Sequence, residues 1–281
     1  MVAAQNKIRL LFEKLNRHST KLGAKPAPTS VHRFRTSGRR LEVLLTELDP
    51  NPGRNCKKLL KLLARLRKKA GRVRDLDVQI ALLRSLKMPE GARHKSQLVQ
   101  TLADERNRRE KKVAQAFDKQ TVRELQKRME RAASELVIRE SQAWELARNM
   151  LTKLGRQPDA MTEKVLHQYR IVGKRARYLA ELAANEPEAQ RLVDELKTMQ
   201  DALGDWHDWL KLTQRADYLF KGVPGSPLVA ALQNLTRAKF RHAAMALAET
   251  RSALSGRKPA VAEDTASRKE ATPGSVIRAA A

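Results

Sequence analysis

One segment of eleven residues occurs twice in this chain, and this repeat limits the fold more than any other sequence feature. Residues 31–41 read VHRFRTSGRRL, and residues 166–176 read LHQYRIVGKRA, at a constant offset of 135 residues with no gap. Phe34 matches Tyr169, and Gly38 matches Gly173. A repeat of this kind predicts that one structural unit is built twice.

Each copy has the periodicity of an amphipathic helix with a basic row beside its apolar stripe. The stripes comprise Val31, Phe34, Gly38, Leu41, Leu45 and Leu48 in the first copy, and Leu166, Tyr169, Gly173, Ala176, Ala180 and Ala183 in the second. The basic rows, displaced by roughly 130°, comprise His32, Arg35 and Arg39, and His167, Arg170, Lys174 and Arg177. A solvated charged face is the usual explanation for one such helix, but recurrence in register with the stripe favours a site.

The rest of the chain also has helical periodicity, so an all-α fold is expected. Residues 94–154 contain neither Pro nor Gly, and a single helix of that length would span about 90 Å. We therefore expect breaks near Phe117 and near 134–139. Before this segment, the predicted helices are 5–22, a helix that carries the first copy and ends at Leu48, 54–70, and a helix that follows a turn at Gly71 and ends at about 87. After it, the predicted helices are 161–185, 188–203, 206–221 and 228–254, with a turn at Gly204 before 206–221. The segment 155–159 separates the two halves.

A second basic row lies on the predicted helix 54–70. Its members fall within roughly 80° of the helix circumference and comprise Lys57, Lys61, Arg65, Lys68 and Arg72. The positions that match them at an offset of 133 are Gln190, Asp194, Thr198, Asp201 and Asp205. This row is therefore not duplicated, and we expect asymmetric binding with the stronger half at the N-terminus.

The charge of the chain implies a polyanionic partner. There are 57 Lys and Arg against 31 Asp and Glu, which gives a net charge of +26. Nucleic acid, a phosphate polymer and an anionic membrane are the candidates. Aromatic residues make up only 4%, which leaves little for unpaired bases to stack on. Cys56 stands alone, and no apolar run approaches the ~20 residues of a membrane span, so a cytoplasmic protein without membrane insertion is expected.

The motifs of the two copies resemble those of the CHAD family, whose name stands for conserved histidine α-helical domain. Each copy contains His-x-x-Arg-x-x-x-Arg/Lys-Arg and is followed by Gly-x-x-Arg/His-Asp, at Gly71–Asp75 and at Gly204–Asp208. The resemblance covers about residues 1–250. The first copy departs from the second at Thr36-Ser37-Gly38, a weak helix stretch, and at Glu42, where the second copy has Arg177.

The resemblance implies two helical bundles related by a pseudo-two-fold axis, with a basic channel between them. It further implies a non-catalytic protein that binds inorganic polyphosphate, in the cytoplasm and at polyphosphate granules. We expect a stand-alone CHAD domain over residues 1–254, with halves at about 1–118 and 119–254, duplicated motifs at 31–78 and 166–211, and a disordered tail at 255–281. The residues that the family motif assigns to the anion path are His32, Arg35, Arg39, Arg40, His167, Arg170, Lys174, Arg175 and Arg177.

Two additions to this site come from the residues themselves. The row from Lys57 to Arg72 offers charges at regular intervals to a linear polyanion, and His207 stands where the first copy has Arg74. Histidine beside phosphate is protonated more readily, so binding should be tighter at pH 6 than at pH 8.

Nucleic-acid binding and polyphosphate hydrolysis are the alternative functions. The sequence has no Gly-rich phosphate loop, no nucleophile–base pair and no ligand set with metal spacing, so we expect neither a cofactor nor a metal. The acidic residues near the two Gly-x-x-Arg/His-Asp segments are expected to cap helix N-termini and to pair with the basic rows. They comprise Asp75, Asp77, Asp205 and Asp208.

Overall fold

The computed structural model describes residues 2–88, 92–136, 139–155, 160–183, 186–223 and 225–254. These residues form nine α-helices and one short 3-10 helix and contain no strand, which confirms the all-α prediction. The helices are α1 (Val2–Ala24), α2 (Pro28–Leu48), α3 (Arg54–Ser85), α4 (Ala92–Ala116), α5 (Lys119–Glu135), α6 (Glu140–Gly155), α7 (Glu163–Ala180), the 3-10 helix (Glu181–Ala183), α8 (Pro187–Leu219) and α9 (Pro227–Leu254). Over the described ranges, no helix is both long and apolar enough to span a bilayer.

Several helices begin where the sequence supplies a start signal. Pro28 and Pro187 occupy the first turns of α2 and α8, where the fixed φ of proline suits a helix and its missing N–H costs nothing. The Asp118 carboxylate accepts a hydrogen bond from the Thr121 amide at 2.7 Å and caps α5. The break near Phe117 is thereby confirmed, and so is the break near 134–139, because α5 ends at Glu135 and α6 begins at Glu140.

The predicted turns at Gly71 and Gly204 are wrong, because α3 and α8 continue through both glycines. A glycine in a helix interior costs about 1 kcal/mol, which is small against the packing of a helix of 32 residues. A Cβ at Gly71 would lie 3.2 Å from Nε of Arg35, so this glycine makes room for a neighbouring side chain. Apart from Gly155, which ends α6, the predicted separator at 155–159 and the tail at 255–281 lie outside the described residues.

The two apolar stripes are buried as predicted, and each contains a glycine at the point where its helix contacts the next helix of the chain. Gly38 of α2 faces Leu63 of α3, and Gly173 of α7 faces Met199 of α8. A Cβ would lie 3.2 Å from Cδ1 of Leu63 at the first position and 2.7 Å from Cε of Met199 at the second. Glycine at both positions therefore allows the helix pairs α2–α3 and α7–α8 to approach closely.

The hydrophobic core holds the two helix pairs against each other. One cluster of buried side chains draws on all nine helices and contains the almost fully buried Trp206. A second cluster joins the C-terminal parts of α3 and α8 to α4 and α9, around Leu83 and Leu98. In this arrangement α2 contacts α7, and α3 contacts α8. The helices that carry the two copies of the motif are therefore neighbours, and their basic rows lie close together.

Candidate functional site

Four basic side chains from the two copies lie together between α2 and α7, and we call them the cation cluster. Arg35 and Arg39 come from α2, and Arg170 and Lys174 come from the matched positions of α7. Each arginine acts electrostatically on Lys174. Among the described residues, only Arg35 of these four makes an ion pair, with Asp75 at 3.6 Å.

Burial and crowding affect the protonation of the cluster. Burial, followed by the charges of Arg170, Arg39 and Arg35, lowers the pKa of Lys174 to about 7. Burial is also the main cause that lowers the pKa of Arg39 and of Arg170. The Nε of Arg170 is buried without a hydrogen-bond partner. Like charges held together in a partly dry site destabilise the free protein, so the fold places the cluster where an anion would relieve that repulsion.

A cavity of about 250 Å³ opens beside the cluster between α2 and α7. Arg39, Arg170 and Lys174 line it together with Arg175 and Tyr178. The two acidic residues of its wall, Glu42 and Glu47, are each engaged by an arginine. The cavity is thus a concave surface at which cations of both copies are available to a ligand.

Three arginines predicted to bind the anion are paired with carboxylates in the structure. Arg40 of the first copy pairs with Glu181 at 2.6 Å, and its counterpart Arg175 donates through Nε to Glu47 at 2.9 Å. Each of these pairs joins one copy to the other in a reciprocal manner. Arg177 lies 3.6 Å from Glu181 as well, and both Arg40 and Arg177 lie over the ring of Tyr178. These contacts hold α2 and α7 together at the edge of the cation cluster.

The histidines lie at the opposite end of the cation cluster from Arg40 and Arg175. The rings of His167 and His207 are 5.7 Å apart between centroids, and His32 lies near Arg74 and Arg35. Burial and then the charges of Arg170 and Lys211 lower the pKa of His207 to about 3. His207 is therefore neutral at physiological pH, and its Nδ1 is buried without a partner, so hydrogen bonding rather than charge is what it offers a ligand.

The acidic residues after the two motifs pair with cations and do not cap helices, because α3 and α8 run straight through them. Asp77 pairs with Arg106 at 2.7 Å, Asp205 pairs with Lys239 at 2.8 Å, and Asp75 pairs with Arg35. Asp208 lies within electrostatic reach of Arg170 and Lys174. The predicted helix capping was wrong. The predicted pairing with the basic rows is confirmed for Asp75, whereas Asp77 and Asp205 pair with cations outside those rows. The described residues contain no group of three or more potential metal ligands.

The structure does not bring the row Lys57, Lys61, Arg65, Lys68 and Arg72 into the cation cluster. All five side chains are exposed on α3. The residues of α3 that face α2 are Arg67, which pairs with Glu42, and Gly71, which lies against Arg35. The row lies roughly 110° around the helix from them and extends over about 22 Å. It is a separate basic surface of the first copy.

A larger cavity lies elsewhere among the described residues. It has a volume of about 1000 Å³ between α6, α7, α8 and α9. Leucines such as Leu192 and Leu247 line it with Trp144, and the described rim carries both arginines and glutamates. None of the predicted site residues lines it.

The comparisons with known proteins agree with the all-α fold. A family model described as CHAD domain matches residues 7–217. The chain is also similar to the crystal structure of the CHAD domain from the plant Ricinus communis, with a TM-score of 0.66, 21% sequence identity and coverage of 92% of each chain. No curated protein matches the chain.

Proposed function

The chain belongs to the CHAD domain family, and from this premise we propose that it binds inorganic polyphosphate at the cation cluster without catalysing a reaction. The observation that carries the proposal is the meeting of Arg35, Arg39, Arg170 and Lys174 from the two copies. Arginine offers forked donors to phosphate oxygens and lysine offers a compact charge. A linear polymer with one charge on each phosphate neutralises several of these cations at once and releases counterions.

We propose that residues 1–254 form one domain of two halves related by a pseudo-two-fold axis, with the cation cluster in a channel between them. The reciprocal pairs of Arg40 with Glu181 and of Arg175 with Glu47 support this arrangement. The assignment of Arg40, Arg175 and Arg177 to phosphate binding stays a prediction, and the ion pairs of Arg40 and Arg175 favour a role in holding the halves together. We place the protein in the cytoplasm and at polyphosphate granules.

The row on α3 supports a second, weaker contact with a polyanion. Its five cations are exposed, and among the described residues none of them makes an ion pair. The same feature is the observation that favours nucleic acid as the alternative ligand, because an exposed row of this kind binds a phosphate backbone without reading a sequence. Duplex DNA is therefore the necessary competitor.

The test is a titration with long-chain polyphosphate at about 150 mM salt. The variant His32→Ala/Arg35→Ala/His167→Ala/Arg170→Ala should bind about 100-fold more weakly, because it loses charge-assisted hydrogen bonds from both copies. The control Arg123→Ala/Arg131→Ala removes two exposed arginines of α5 and should change the affinity less than about threefold. Equal binding by the variant and the wild type would refute the proposed site.

Two further arms separate the competing functions. Duplex DNA should displace polyphosphate poorly from the wild type, and effective displacement would favour the nucleic-acid alternative. Phosphate release should stay at the level of the blank when Mg²⁺ or Mn²⁺ is added, and release that depends on the protein would show that the protein is an enzyme.

A further inference from the structure

Each copy of the motif supplies an arginine and an aspartate to the same place. Arg35 and Asp75 occupy the first copy, and Arg170 and Asp208 occupy the matched positions of the second, at offsets of 135 and 133 residues. In the first copy, Nη2 of Arg35 lies 3.6 Å from Oδ1 of Asp75. In the second copy, Arg170 is the strongest attractive charge acting on Asp208.

The two pairs form one electrostatic unit. Asp75 acts on Arg170 as well as on Asp208, and Arg35 acts on Arg170 and on Lys174. The environments of the two carboxylates nevertheless differ. The side chain of Asp75 is 63% exposed, whereas Asp208 is partly buried, and no nitrogen of a described Lys, Arg or His lies within 4.0 Å of its carboxylate. Asp208 is thus held near the cations without being locked to one of them.

We propose that Asp75 and Asp208 act as internal counter-anions, which neutralise the cation cluster in the free protein and which polyphosphate displaces when it binds, with Asp208 taking up a proton in the process. This inference rests on the proposed function and adds the regulation of the same site. A carboxylate and a phosphate oxygen compete for the same guanidinium groups, and two anions side by side repel each other. Asp75 is exposed and can move into solvent, whereas the partly buried Asp208 relieves the repulsion by becoming neutral.

The surroundings of Asp208 favour the proton uptake. Burial raises the pKa of Asp208 even though Arg170 and Lys174 lower it, and Asp75 raises it further. A bound polyanion adds negative charge and so raises the pKa again. The charged groups that act on Asp208 come from α3 and α7 and comprise Arg74, Asp75, Arg170 and Lys174. Further charged or titratable groups of α2, α7 and α8 act on Lys174 or on His207 and comprise Arg35, Arg39, His167 and Lys211. Lys174 also titrates near neutrality, so the charge at position 174 must be held constant in a test of Asp208.

The test uses two proteins that both carry Lys174→Arg, so that position 174 stays charged. One of them also carries Asp208→Asn, and the other, its parent, keeps Asp208. Long-chain polyphosphate is titrated by calorimetry at pH 6 in two buffers with different enthalpies of protonation, which gives the affinity and the number of protons taken up. Asp208→Asn should bind about fivefold more tightly, since it removes one repulsive charge, and should take up fewer protons. Asp75→Asn should bind about twofold more tightly with unchanged proton uptake.

The control is Asp104→Asn/Asp217→Asn, which changes the net charge by two at exposed positions of α4 and α8 and should leave the affinity and the proton uptake unchanged. Thermal unfolding checks that each variant is folded. If Asp208→Asn binds no more tightly than its parent while Arg35→Ala/Arg170→Ala loses binding, the aspartates are scaffold and this inference is overturned although the proposed function stands. If Arg35→Ala/Arg170→Ala binds as well as the wild type, the proposed function fails first.

Discussion

The first and second copies of the motif present the same kinds of side chain to the cation cluster in different surroundings. Arg35 with Asp75 and Arg170 with Asp208 are matched pairs in which both arginines are partly buried, but Asp75 is exposed whereas Asp208 is partly buried. Arg39 is matched by Lys174, whose pKa is lowered to about 7. On the outer face, the five cations of α3 are matched in α8 by uncharged or acidic residues. The two copies are thus similar where α2 and α7 face each other and differ along the exposed row of α3.

The difference between Arg39 and Lys174 predicts the largest effect, which is on the pH dependence of polyphosphate binding. At pH 6 Lys174 is charged before a ligand arrives, whereas at pH 8 it is mostly neutral and must take up a proton, which costs about tenfold in affinity. Polyphosphate should therefore bind about tenfold more tightly at pH 6 than at pH 8, as calorimetry at the two pH values would measure. Lys174→Arg gives the second copy the arginine that the first copy has at position 39. The ratio of the affinities at pH 6 and pH 8 should then fall to about threefold.

His32 and His207 supply little of this dependence, because burial and nearby arginines lower the pKa of both histidines in the free protein. The control is Arg39→Lys, which places a second titratable amine in the cation cluster and should steepen the pH dependence. A Lys174→Arg variant with the full dependence of the wild type would contradict the assignment to this lysine.

The basic row of α3, which has no counterpart in the second copy, predicts an intermediate effect on the affinity for polyphosphate. Lys61→Gln/Arg65→Gln/Lys68→Gln should weaken polyphosphate binding about fivefold at about 150 mM salt. It should also lower the slope of log affinity against log salt, because fewer counterions are released. The measurement is a salt series of binding titrations. Arg108→Gln/Lys111→Gln/Lys112→Gln removes the same charge from an exposed face of α4, and equal losses in both variants would mean that the row acts only through net charge.

The matched glycines predict the smallest effect, on the free energy of unfolding. Gly173→Ala puts a Cβ 2.7 Å from Cε of Met199, whereas Gly38→Ala puts it 3.2 Å from Cδ1 of Leu63. Alanine gains about 1 kcal/mol of helix propensity at either position, and the close contact opposes this gain more strongly at Gly173. Denaturant unfolding should therefore find Gly173→Ala less stable than Gly38→Ala by about 1 kcal/mol. Equal stability would show that Met199 moves aside freely.

Some elements were predictable because their signals are local. The apolar stripes around Phe34 and Tyr169 follow from helix periodicity, and the break at Phe117 follows from chain length and is fixed by the Asp118 cap. The predicted turn at Gly71 was wrong because glycine occurs both at helix breaks and where another group approaches a helix closely, and here the side chain of Arg35 approaches it. The predicted turn at Gly204 was also wrong, and among the described residues no atom outside its own helix lies within 4 Å of a Cβ placed there.

The sequence by itself determined the fold class, the family motifs and the residues of both basic rows, because periodicity and the constant offset are properties of the chain. The tertiary structure decided which of those residues act together. It put Arg35, Arg39, Arg170 and Lys174 into one cluster, engaged Arg40 and Arg175 in ion pairs, and left the row of α3 outside. Burial and the distance between charges decide these roles, and both depend on how α2 packs against α7, which no local pattern records.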